Sequence, residues 1–101
     1  MSNKYNIRYL PVAVDDLLSI FDWIANDSLD RAATFIETLD RRIHHLTTYP
    51  LFGRHPKDEK LQKLGYRVVM IESYLVFYLI HGHTVEIHRV IHGSRNLDDI
   101  I

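Results

Sequence analysis

Residues 61–93, LQKLGYRVVMIESYLVFYLIHGHTVEIHRVIHG, decide the fold. Three runs within them, LQKLGYRVVMI, YLVFYLI and TVEIHRVI, are crowded with β-branched and aromatic side chains, the types that pack well on a pleated surface. Only Glu72-Ser73 and His81-Gly82-His83 separate these runs, connections short enough for hairpins. The stretch therefore predicts a three-stranded antiparallel meander. Its middle run is apolar at successive positions, so it should be the central strand, covered on both faces.

The cover has to come from upstream. From Val14, apolar residues recur as Leu17, Leu18, Phe21, Ile24 and Ala25, the three-and-four spacing of an amphipathic helix ending near Asn26. Pro11 suits its first turn. Trp23 falls at the edge of that stripe, where core packing is the expectation and an interface the alternative. Asn26, Asp27 and Ser28 break the pattern and can cap a second helix, which reads from Leu29 to about Thr47. Its stripe is Ala32, Phe35, Ile36, Leu39, Ile43 and Leu46, and its basic residues cluster late, as the helix dipole favours. Two helices joined so tightly should form an antiparallel hairpin. Before them KYNIRYL (4–10) alternates like a short strand. After them YPLFGRHPKDE (49–59), punctuated by Pro50, Gly53 and Pro56, reads as loop. The prediction is an α+β domain over residues 1–101 of order β-α-α-β-β-β, with the helical hairpin on one face of a sheet that also takes in the first strand.

Bulk composition fits this. The 101 residues suit one domain, and 47% hydrophobic content is enough for a single core. No apolar run approaches the ~20 residues of a membrane span, and the first residues lack the apolar centre of a signal peptide, so a cytoplasmic protein is expected. Cysteine is absent, which excludes disulfides, thiolate metal sites and cysteine catalysis. The net charge of −1 is segregated. Residues 1–40 carry seven acids against Lys4, Arg8 and Arg31, whereas residues 41–95 carry nine Lys and Arg against four acids. A general nucleic-acid binder is usually basic overall, because each neutralised phosphate releases counterions. A local basic face suits an acidic protein partner better.

Candidate chemistry gathers near RVIHGSRN (89–96), which sets two arginines and a histidine around a glycine. His81, His83, His88 and His92 invite a metal reading, but no carboxylate or cysteine is placed to complete a zinc set. No metal or cofactor is expected.

Taken in order, AVDDLLSIFDWIAN (13–26), FIETLDRRIHHLTTYP (35–50), PLFGR (50–54), GYRVVMI (65–71), YLVFYLI (74–80) and IHRVIHGSRNLDD (87–99) resemble the RelE/ParE superfamily of bacterial toxins. These are the toxins of type II toxin–antitoxin systems, often described as plasmid stabilisation proteins. The likeness runs over nearly the whole chain. It implies a growth-inhibiting toxin neutralised by a cognate antitoxin, in a toxin–antitoxin hetero-oligomer. RelE-like members cut mRNA on the ribosome, whereas ParE-like members inhibit DNA gyrase by protein binding.

The strand ending is similar to the ParE side, with Arg89, Val90, His92, Arg95 and Asp98 in the pattern and Asn96 where an acid is often found. His92, Arg95 and Asp98 are then the expected target-binding residues. The ribonuclease alternative would use Arg67, at the position where RelE-like enzymes set an arginine against the phosphate, with Arg89 beside it and His92 as acid or base. Lys57, Lys60 and Lys63 would add phosphate contacts. Against it, no tyrosine follows Tyr78, whereas many RelE-like enzymes carry one near the C-terminus. A plain reading also stands for each residue, in which Arg67 only pairs with Glu72 or Glu86, and His92 and Arg95 only cap a strand end. A degenerate, non-toxic member would keep the fold without either activity.

Overall fold

A computed structural model of the chain describes residues 4–94. The elements run β1 (Asn6–Tyr9), α1 (Pro11–Ala25), α2 (Leu29–Ile43), a 3-10 turn (His44–Thr47), α3 (Glu59–Lys63), β2 (Arg67–Ile71), β3 (Tyr74–His81) and β4 (Thr84–His92). The predicted order holds. Pro11 opens α1, and the Ser28 hydroxyl caps α2 by accepting the Arg31 N–H at 3.2 Å. The second helix tightens into the 3-10 turn over its last residues instead of continuing as α-helix to Thr47. The sequence reading expects loop to Glu59 and the first meander strand from Leu61, but Asp58 caps a five-residue α3 by accepting the Leu61 N–H, and β2 begins only at Arg67.

Sheet order is β1-β4-β3-β2. β2, β3 and β4 form the antiparallel meander, and β3 has a neighbour on each side, as its apolar run requires. β1 joins beside β4 and runs parallel to it, with Ile7 opposite Val85, so the sheet is mixed. The turn into β4 needs Gly82, whose φ of +62° is cheap only without a Cβ. Glu72 makes the corresponding turn at φ 56°, a conformation that costs a side-chain-bearing residue something.

Alternation along β3 divides the core in two. Val76 and Tyr78 face the hairpin and pack with Ala13, Ile20, Leu39 and Ile43. Phe77 belongs to a second cluster with Leu61 of α3, Tyr66, Val68 and Ile91. One helical hairpin covers one face; the short α3 contributes to the cover of the other.

The buried flank of α1 is Ala13, Leu17, Ile20 and Ile24. Val14 and Leu18, which the apolar spacing placed on the core stripe, stand exposed, and Trp23 is 75% exposed. Trp23 lies seven residues after Asp16, on the flank of the helix turned toward the end of β4. The core expectation for Trp23 is thus overturned, and its alternative, an interface position, is the one its exposure fits.

Candidate partner-binding surface

Arg67 begins β2, and its guanidinium turns back over the preceding loop. One nitrogen donates to the carbonyls of Gly53 at 2.8 Å and Leu51 at 3.3 Å. Neither acid expected to pair with it does so. Glu72 sits 3.7 Å from Arg42, and Glu86 lies between Arg8 and His88. Beside Arg67 across the strand pair is Tyr78, whose hydroxyl accepts the Gly53 N–H at 2.8 Å and donates to the Pro50 carbonyl at 2.7 Å. Burial pushes the Tyr78 hydroxyl up from the usual phenol range, opposed by the Gly53 N–H and the Arg67 charge. The two side chains thus hold one short loop from below. No sequence pattern announces that contact, because it joins residues 25 apart.

Arg89 is committed elsewhere. Its Nε and one terminal nitrogen donate to the Asp16 carboxylate at 2.8 and 3.0 Å, and the Val90 N–H donates to the same carboxylate at 2.9 Å. β1 stops pairing with β4 at Ile87, so beyond it Asp16 takes the place of the missing strand neighbour. Asp16 in turn raises the Arg89 pKa further, against a smaller opposing effect of burial. The expectation that Arg89 stands next to Arg67 is corrected: β3 lies between them, and they pair with its consecutive residues Phe77 and Tyr78, which face opposite cores.

His92 ends β4, exposed, with its ring edge-on to Tyr74 at 5.4 Å between centroids. Its Nδ1 accepts the Ser94 N–H at 3.2 Å and meets the Ser94 hydroxyl at 2.8 Å. His92 pairs with Tyr74 and Arg67 with Tyr78, so their rows along β3 are about 13 Å apart at strand spacing. A phosphate held at Arg67 would be far from a proton donor at His92, since proton transfer needs hydrogen-bond reach. Arg67, Arg89 and His92 form no converging set. Arg95 and Asp98 lie outside the described residues. Lys60 and Lys63 are exposed on α3 and Lys57 just before it.

Two open depressions meet at His92 instead. One, of about 350 Å³, is bounded by Trp23, Arg31, Phe35, Glu72 and Tyr74. The other, of about 440 Å³, runs along Asp16, Ser19 and Val90, and Trp23, Tyr74 and His92 line both. Together they make a groove between the hairpin and the end of the sheet, with aromatic walls and a mixed-charge rim. Aromatic side chains within a polar rim are the features that protein-binding surfaces share. His83, offered as a metal ligand by spacing, stacks on Tyr5 at 4.3 Å and hydrogen-bonds the Lys4 carbonyl. Among the described residues no three histidines or carboxylates gather as a metal would need.

The family model for the ParE toxin of type II toxin–antitoxin system, parDE, matches residues 7–97. The toxin ParE3 of Caulobacter vibrioides is 29% identical over 92 residues, spanning 90% of this chain and 88% of ParE3. Among solved structures, a chain from the chromosomal ParDE TA system of P. aeruginosa matches with TM-score 0.75 at 17% identity, covering 90% of this chain and 98% of that one. A chain from the toxin–antitoxin complex RelBE2 of Mycobacterium tuberculosis matches with TM-score 0.61 at 24% identity, covering 88% and 98%. At those identities the two structures speak to the fold.

Proposed function

This chain belongs to the ParE toxin family of type II toxin–antitoxin systems, and we propose that it is the toxin of such a pair, inhibiting DNA gyrase by protein binding and silenced by a cognate antitoxin. The relatives supply the partner by analogy, since both solved neighbours come from toxin–antitoxin systems. One observation carries the binding mechanism over the ribonuclease one: Arg67 and Arg89 are spent on structural contacts, and His92 stands a separate distance away. The groove with Trp23 and His92 is the surface we assign to the target, and Arg95 and Asp98, which follow His92 in the sequence, are assigned to the same contact.

The decisive assay is gyrase supercoiling in the presence of the purified chain, run beside cleavage of ribosome-bound mRNA. Inhibition at micromolar protein without mRNA cleavage is expected. Trp23→Ala, His92→Ala and Arg95→Ala should each weaken inhibition about tenfold or more, as loss of an interface anchor does. Unaffected supercoiling together with mRNA cleavage that Arg67→Ala abolishes would replace this reading with the ribonuclease one. If the wild-type chain does neither and leaves growth unaltered, it is a non-toxic member of the family.

A further inference from the structure

Away from the groove, at the junction of α2 and the sheet, the chain presents an apolar projection. Tyr49, Leu51 and Phe52 are 64%, 66% and 71% exposed and almost consecutive. Their exposure is imposed by the fold. The backbone between them is held from below by Tyr78 and Arg67, which together engage the carbonyls of Pro50, Leu51 and Gly53 and the Gly53 N–H. Arg54 then bridges to Val68 on the edge of β2 through both of its backbone groups. With the main chain turned inward, the side chains have to point out. A loop fixed in this way loses little freedom on binding, so its apolar area converts efficiently into affinity.

Cationic and imidazole side chains line the two depressions beside the projection. Tyr49 is shared by two depressions. One, of about 300 Å³, lies between His45, Tyr49 and Phe52. The other, of about 610 Å³, is lined by Lys4, Tyr5, Arg41, His44, His45 and the residues leading to Tyr49, and no carboxylate lines either. Asp40, one residue before Arg41, accepts the Tyr9 hydroxyl at 2.7 Å and lies 3.4 Å from His44. Arg41 contributes a permanent charge and His45 a ring that can offer an N–H, whereas the His44 Nδ1–H is spent on the Asp40 carbonyl at 2.9 Å.

Resting on the toxin–antitoxin reading above, we propose that this surface seats an acidic segment of the antitoxin. An apolar side chain of that segment fills the dent between Tyr49 and Phe52, and its carboxylates lie along Arg41 and His45. Complementary charge picks the acidic peptide. An overall charge of −1 disfavours a nucleic acid for the same cleft. A constitutive partner also explains how so apolar a projection is tolerated, since it would be covered whenever the pair is assembled.

The test uses the full chain and the product of the gene encoded beside it, with affinity measured by calorimetry at several salt concentrations. Phe52→Ser should weaken the complex tenfold or more. Arg41→Glu should weaken it similarly and flatten its salt dependence. Leu29→Ser, an equally exposed apolar residue at the tip of the hairpin, should bind like wild type. A photoreactive phenylalanine analogue placed at position 52 should cross-link to a stretch of the partner rich in Asp and Glu.

Wild-type affinity in both Phe52→Ser and Arg41→Glu would overturn the assignment. So would a cross-link to a basic stretch, or variants that keep antitoxin affinity while losing gyrase inhibition, which would give the surface to the target. Displacement of the antitoxin by duplex DNA at this surface would overturn it as well. If the wild-type chain ignores the neighbouring gene product altogether, the toxin–antitoxin reading itself fails and takes this assignment with it.

Discussion

Gly53 shows how one residue can carry a local structure. A Cβ built there would stand 2.6 Å from the Tyr78 hydroxyl oxygen and 2.8 Å from its ring, closer than real contacts allow. Gly53→Ala should therefore displace Tyr78, break both of its loop hydrogen bonds and cost about 2–4 kcal/mol, measured by urea denaturation. Tyrosines also link stability to alkaline pH. Burial and the hydrogen bond to Asp40 push the Tyr9 pKa up, and burial raises Tyr66 and Tyr78 too. A raised folded-state pKa means that the unfolded chain loses its proton first, so these groups stabilise the fold below about pH 10 and that contribution is lost as pH rises beyond it. Stability followed by thermal melts should fall above that pH, and Tyr9→Phe should shallow the fall. In the sequence, these tyrosines could be assigned to strands, but their partners could not. Each partner comes from a different part of the chain.

At the scale of elements, the link between α1 and β4 depends on Asp16. Its carboxylate satisfies the Arg89 guanidinium and the Val90 N–H, at 13% and 16% side-chain exposure for the acid and the arginine. Asp16→Ala strands those donors and should cost about 2–4 kcal/mol, with hydrogen exchange at Val90 speeding up before that of β3. The short α3 is a separate case. Five residues cannot sustain a helix alone, so it depends on the Asp58 cap and on Leu61 entering the second core. Asp58→Ala should cost about 0.5–2 kcal/mol and loosen the cover over Phe77, read as faster exchange at Leu61 and Tyr66. Helices α1 and α2 and all four strands were legible from periodicity, capping residues and short turns. The helix α3 was not: Leu61–Lys63 read as the start of the β2 run, and Pro56 and mixed charge mask a single turn whose stability comes from the sheet it packs on.

For the whole molecule, charge is arranged rather than abundant. The acidic first part of the chain supplies α1 and most of α2, and the basic surplus surrounds the end of α2, the loop and the sheet. With no net positive charge, binding to duplex DNA at physiological salt should be no tighter than about 100 µM, measured by fluorescence anisotropy. Tighter binding would reopen nucleic acid as a direct partner. The molecule is a slab of 38 × 38 × 21 Å, and the exposed aromatics Trp23 and Phe52 belong to separate surface depressions with no lining residue in common. A chain of this size thus has room for two partner contacts without overlap.

Order, fold class and family resemblance were determined by the sequence alone, because hydrophobic periodicity, caps and two-residue turns act between residues close along the chain. The candidate site was read only in outline: the ending RVIHGSRN drew attention to the end of β4, and His92 is exposed there. Only the tertiary structure decided what Arg67 and Arg89 do, that β1 runs parallel to β4, and that Trp23 faces outward. Each of these turns on distance across space. An arginine has the same chemistry whether it holds a phosphate or a carbonyl, and only the packing of distant segments determines which of the two lies within its reach.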